Sequence, residues 1–269
     1  MLFRSATLLN GLLAFAGWGV VLLAPWSSAR LRSALSDQRV ALAALALLAL
    51  SVAASVARGL PVSLAADAWA LLLAAAAVML TAGALDEEDS RRAGQAFVSA
   101  MLLAGVLSAV VACIQVYAPQ WTDGMLIAHS GLPGRAVGNL RQPNHLSSLL
   151  LWGLIALAAV AQGGRWFGLR LGWPAAATLA VLLVLAVVLS ASRTGTLGVL
   201  LLAAWGLADR RLAGRVRLGL LALPLVYLVC WLAMAGWAHE TAHTFGAEAR
   251  LSEGDISSSR FGKIGRAHV

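Results

Sequence analysis

Hydrophobic residues dominate the chain in long runs broken by short polar stretches, and the length of those runs is the first structural information it offers. Runs of about 20 apolar residues match the length a helix needs to cross the hydrocarbon core of a bilayer. On that criterion spanning helices are expected at 6–24, 40–57, 64–82, 96–117, 146–161, 171–189, 194–208 and 218–238. The expected fold is therefore all-α, a polytopic integral membrane protein with eight transmembrane helices. The seventh run is shorter than the usual span and follows the sixth after a tight corner at 190–193.

Between the fourth and fifth runs the pattern changes. Residues 134–147, GRAVGNLRQPNHLS, form the most polar stretch, holding Arg135, Asn139, Arg141, Gln142, Asn144 and His145. Gly131, Gly134, Gly138 and Pro143 predict a shaped loop, because glycine permits positive φ and proline removes a backbone donor. A solvated turn would account for a loop, but so many amide and guanidinium groups beside a membrane favour a binding function.

Composition agrees with the hydropathy pattern. The 269 residues are 60% hydrophobic and 12% charged, with a mean hydropathy of +0.82, which is too apolar for a soluble domain of this length. The net charge of +8 would suggest nucleic acid in a soluble protein. Here the arginines fall in short loops, so no nucleic-acid partner is expected and the bilayer is the first partner. Cys113 and Cys230 lie inside apolar runs and are expected to pack, without a disulfide or a metal. The first run is long enough to span, and residues 27–29 offer only a weak cleavage site, so it is read as a helix and not as a signal peptide.

Arginine placement gives an orientation. One set of alternate loops carries eleven arginines: Arg30, Arg32, Arg39, Arg91, Arg92, Arg165, Arg170, Arg210, Arg211, Arg215 and Arg217. The other set carries five: Arg4, Arg58, Arg135, Arg141 and Arg193. The richer set is expected to be cytoplasmic by the positive-inside rule. The 134–147 loop, the Arg193 corner and the tail would then share the opposite face.

Three further features could carry chemistry. In Ser190–Gly195, SASRTG, Arg193 ends a long apolar run between Ser192 and Thr194; it reads either as an interfacial anchor or as an anion-binding group. Its expected face also carries Arg135 and Arg141, and several guanidiniums converging there suit a diphosphate, which arginine grips in bidentate fashion. His239–His243, HETAH, matches H-E-x-x-H, which on a helix binds zinc; the other reading is a His-rich helix end. Asp67 near a helix end reads as a solvated cap or as a proton relay.

VGNLRQPNHLSSLLLWG after a polar loop and LSASRTGTLGVLLL one hairpin later, followed by a basic turn, one more helix and an outward loop, resemble the bacterial O-oligosaccharyltransferases of the PglL type. These group with O-antigen ligases and Wzy polymerases. The resemblance runs from the first helix to Arg260, with Q-P-N and S-R-T-G its specific parts. It implies glycan transfer from an undecaprenyl diphosphate carrier to a protein hydroxyl, lipid A core or a growing chain. The reaction would take place at the periplasmic face of the inner membrane, with no metal or other cofactor.

It also implies catalytic roles for Gln142 and Arg193, with their neighbours Arg141, Asn144 and His145 in substrate binding; from the polar loop itself Arg135 and Asn139 are expected to join that substrate-binding set. The family's catalytic histidine lies further along a large periplasmic loop, and His239 and His243 fall too early for that role. Other readings are a secondary transporter, for which neither internal repeats nor mid-membrane polar groups are visible, and an intramembrane zinc metalloprotease resting on HETAH.

The expected organisation is a membrane domain over 1–238 with an outer loop at 118–145, and the start of a large periplasmic loop at 239–262. Residues 263–269, KIGRAHV, resemble read-through of a sequencing-library adapter, and Lys263 is the only lysine beside 19 arginines. The chain is accordingly read as a fragment, inactive by itself. Family members begin in the cytoplasm with an odd number of helices before the Q-P-N loop. Four here would mean that one N-terminal helix is missing.

Overall fold

The computed structural model describes residues 28–59, 61–163 and 165–248, so the expected first span at 6–24 and the terminal stretch lie outside the described residues. The elements are α1 Ser28–Asp37, α2 Arg39–Ala57, α3 Val62–Ala84, α4 Glu87–Tyr117, a 3-10 turn at Pro119–Trp121, α5 Pro143–Ala161, α6 Trp173–Ser190, α7 Arg193–Ala208 and α8 Gly214–Thr241. Among the described residues six helices are long and apolar enough to cross a membrane, and α7, at 16 residues, is a shorter apolar helix. The protein is an all-α polytopic membrane protein.

The helices divide between two compact units that meet in sequence at Gly94 and Gln95. In the first, Ala34 of α1 is fully buried and lies where a Cβ on Gly83 of α3 would stand 3.1 Å from it. Trp69 of α3 donates its indole N–H to the Ala49 carbonyl of α2 at 3.1 Å. Among the described residues α2 buries none of its own, and Leu47, Leu48 and Leu50 are exposed, as lipid-facing side chains are. Helix α1 occupies what the sequence pattern treats as an arginine loop. Its ten residues are too few and too polar to form a spanning run; Ala34 is buried, and Arg30 lies 3.8 Å from the Asp86 carboxylate.

The second unit is built around α6. Leu183, Val184, Val187, Val188 and Leu189 are fully buried, as expected for a helix apolar on every side and surrounded by others. Helices α4 and α5 approach at Gly105 and Gly153, where a Cβ on Gly105 would sit 3.1 Å from the Gly153 backbone. Small residues at a crossing let backbones meet in the way membrane helices favour.

Loops gather at the two ends of this unit. At one end Gln162 bonds to the Arg211 carbonyl and the Ala213 amide, joining the two arginine-bearing loops. At the other end the α4–α5 loop, the α6–α7 corner and the segment after α8 meet. Ala136 donates to the Leu189 carbonyl at 2.8 Å, and Gly246 donates to the Gly134 carbonyl at 3.1 Å.

Helix α5 starts earlier than its hydrophobic run. Pro143, read as a loop signal, occupies the first turn, where its missing N–H costs nothing and its fixed φ suits a helix. The Q-P-N stretch is therefore a helix N-terminus and not the interior of a loop.

Candidate functional site

The α4–α5 loop is held in shape by amide side chains. Gln115, a buried amide inside the apolar run of α4, accepts from the Val137 and Gly138 N–H groups at 3.0 and 2.9 Å. Its Nε2 donates to the carbonyls of Ala128 and Gly138 at 2.7 and 3.3 Å. Asn139 accepts from the Ala128 N–H at 3.0 Å and donates to the Leu126 carbonyl at 2.8 Å. Asp123 accepts from the N–H groups of Met125, Leu126 and Ile127 at 2.9, 2.8 and 2.8 Å. The Ile127 amide, helped by those of Met125 and Leu126, holds the Asp123 carboxyl below the usual carboxylate range.

Arg135 is also part of the framework. Its guanidinium lies 3.3 Å from the Ser190 carbonyl at the C-terminus of α6, where a cation satisfies groups the helix leaves unpaired. At the adjoining corner Ala191 takes a left-handed conformation, φ 50°, and Ser192 caps α7 by accepting from the Gly195 N–H at 3.3 Å. Two residues thus suffice to reverse the chain between α6 and α7.

The first turns of α5 and α7 are bound together by hydroxyls. Ser192 donates to the Asn144 Oδ1 at 2.9 Å, Ser147 lies 3.0 Å from the Ser192 hydroxyl, and Thr194 lies 2.7 Å from it. Close approach depends on Gly195, whose Cβ would fall 2.9 Å from that of Ser147 and 2.8 Å from Val187 Cγ1. Two helix N-termini therefore lie side by side, each presenting first-turn N–H groups at the same end of the unit.

Two cavities open there. One, of about 470 Å³, is lined by Leu140, Gln142, Asn144, His145, Ser148 and Thr194. The other, of about 290 Å³, is lined by Arg193 with Thr196, Tyr227 and Trp231. Thr196 and Tyr227 bond to each other at 2.9 Å. Arg193 and Thr194, consecutive in α7, face different cavities.

The structure thus brings Gln142, Asn144 and His145 into one groove and sets Arg193 on the neighbouring one. Gln142 caps α5 with its backbone only. Among the described residues its carboxamide bonds to nothing, and it is exposed. Arg141 is exposed with φ 56° beside that groove. Arg135 and Asn139 are spent on the loop and the α6 terminus. Ser147, Ser192, Thr194 and Gln115 complete the arrangement but do not appear in the sequence-derived set of site residues. A polar amide within the 96–117 run was the available signal for Gln115.

The HETAH stretch does not form one helical turn. Helix α8 ends at Thr241, and Ala242 is left-handed at φ 54°, so the chain breaks direction between the two histidines. His243 packs on Trp237 with ring centres 4.8 Å apart, while His239 lies 3.9 Å from Glu248.

A protein-family model described as PglL_A, protein glycosylation ligase, matches residues 136–159. The match covers the end of the loop, the Q-P-N turn and most of α5, and it fits a membrane-embedded glycosyltransferase or ligase. No curated protein and no solved structure gives a match.

Proposed function

We propose that this chain belongs to a membrane glycosyltransferase that takes a glycan from an undecaprenyl diphosphate carrier. The acceptor would be a protein hydroxyl, lipid A core or a growing glycan at the periplasmic face of the inner membrane. One observation carries the reading: the glycosylation-ligase match falls on the α5 N-terminus, where Gln142 and Asn144 line a groove shared with α7.

The chemistry follows from charge. A diphosphate leaving a sugar carries developing negative charge, and pre-placed donors stabilise it most where water is scarce. The paired N-termini of α5 and α7 supply backbone N–H groups and favourable helix dipoles to such an anion. Arg193, in the first turn of α7, would add a full charge with a bidentate fork from the neighbouring cavity, so the diphosphate would bridge the two. Ser192 donates to the Asn144 Oδ1, which leaves the Asn144 Nδ2 to donate into the groove. The free carboxamide of Gln142 would orient the diphosphate or the first sugar by hydrogen bonds, with Arg141 and His145 at the rim. Arg135 and Asn139 would act through the loop they hold. The acceptor hydroxyl requires a general base to take its proton.

The test is binding of undecaprenyl diphosphate to the purified full chain in detergent, compared with undecaprenol at the same concentration. The diphosphate should bind and the alcohol should not. Equal binding of both would mean that the polyprenyl tail alone is recognised, and the site as described would be wrong.

A further inference from the structure

A third cavity lies at the opposite, arginine-bearing end of the second unit. It is an apolar groove of about 330 Å³ between α5, α6 and α8, walled by Leu157, Ala177, Ala180, Gly219 and Leu223. Its mouth is different in character. Arg215 and Trp173, each in the first turn of its helix, line the groove and pack on one another with the guanidinium 5.9 Å from the indole ring.

Arg215 is exposed, and among the described residues it has no acidic partner; the nearby Asp209 is held by the Trp205 indole and the Arg211 amide. Leu218 on the lip of the groove is 69% exposed. In a membrane protein that surface faces lipid. An indole marks the interfacial depth, and a basic pocket between helices at that depth matches an anionic headgroup.

We infer that this groove is a binding site for an anionic phospholipid of the phosphatidylglycerol type. One acyl chain would lie against the alanine and glycine wall, and the phosphate would meet Arg215. The first-turn N–H groups of α6 and α8 lie at the same mouth and favour the same charge. The site is separate from the Gln142 groove and stands without the proposed transferase activity.

Native mass spectrometry of the full chain, titrated with palmitoyl-oleoyl phosphatidylglycerol and with the corresponding phosphatidylcholine, tests it. A Cβ at Gly219 would meet nothing within 4 Å, and Gly219 lines the groove, so Gly219→Leu puts a side chain into it. Arg215→Gln removes the charge, and Arg170→Gln, an exposed arginine that does not line the groove, serves as control.

Wild type and Arg170→Gln should hold phosphatidylglycerol in preference to phosphatidylcholine, and Arg215→Gln should lose about fivefold in phosphatidylglycerol binding, the order expected for one basic side chain near an anionic headgroup. Gly219→Leu should lose binding of both lipids. Equal retention of the two lipids by wild type would overturn the inference. So would unchanged binding in either groove variant, or a shift in oligomeric state with Gly219→Leu, which would make a second protein chain the occupant.

Discussion

Gln115 and Gly138 exchange both of their amide functions: the Gly138 N–H donates to the Gln115 Oε1 at 2.9 Å, and the Gln115 Nε2 donates to the Gly138 carbonyl at 3.3 Å. One buried side chain thus stands in for a strand partner and fixes the loop that leads to Gln142. Gln115→Leu would leave the Val137 and Gly138 amides unpaired away from water. A loss of about 1–3 kcal/mol for each buried group left unsatisfied is expected. Thermal unfolding in detergent should show a lowered midpoint, and an unchanged midpoint would remove Gln115 from this role.

Gly195 sets how closely α5 and α7 approach. Gly195→Val places methyl groups where Ser147 and Val187 already stand, and overpacking of this kind costs about 1–3 kcal/mol. Diphosphate binding should fall further than stability does, because the paired helix N-termini are pushed apart. A variant that unfolds earlier but binds normally when folded would show that the pairing is not needed.

Asp123 gives the loop a pH dependence with a definite sign. Three N–H groups hold its carboxyl below the usual carboxylate range, so its contribution is fully present above the unfolded-state pKa. That contribution disappears as pH falls through the lower folded-state value. Hydrogen exchange at residues 125–127, corrected for intrinsic rates, should therefore be slow at pH 7 and speed up only below about pH 4. Asp123→Asn should exchange faster at neutral pH, and no difference from wild type would contradict the assignment.

Orientation is open to a direct test. Gly131 and Gly214 have open space where a Cβ would go, so cysteine fits at each. With Cys113 and Cys230 replaced by alanine, Gly131→Cys should react with a membrane-impermeant maleimide in intact spheroplasts and Gly214→Cys should not. Reversed labelling would place the Gln142 groove on the cytoplasmic side and remove its access to a periplasmic acceptor.

Sequence and structure agree where one physical signal decides. The spans of α2 to α6 and α8 were legible because a run of apolar residues has one stable arrangement in lipid, while the 194–208 run forms a helix shorter than a span. Helix α1 was hidden, since its ten residues are too short and too polar to register as an apolar run. Pro143 was legible as a break but ambiguous about which side of the helix start it occupies.

Gln142 and Asn144 stand out in the sequence as members of its most polar stretch, and the structure places both on one groove. Which polar side chains are spent on scaffolding could not be read there, because that depends on partners distant in sequence. Asn139 serves Leu126 and Ala128, and Arg135 serves Ser190 on another helix. The separation of Gln142 and Arg193 onto two cavities depends on which way each side chain leaves its helix.

The measurement that bears most directly on the proposed function is the affinity of purified chain for undecaprenyl diphosphate in wild type, Gln142→Leu, Arg193→Lys and Arg193→Ala. Hydrogen bonds to a charged group are worth about 1.5–3 kcal/mol, so Arg193→Lys, which keeps the charge and loses the fork, should weaken binding roughly 10-fold or more. Arg193→Ala should fall to background. Gln142→Leu should weaken binding at unchanged membrane abundance, since this exposed side chain has no hydrogen-bonding partner among the described residues. Wild-type affinity in both Gln142→Leu and Arg193→Lys would contradict the account and leave these residues as interfacial anchors.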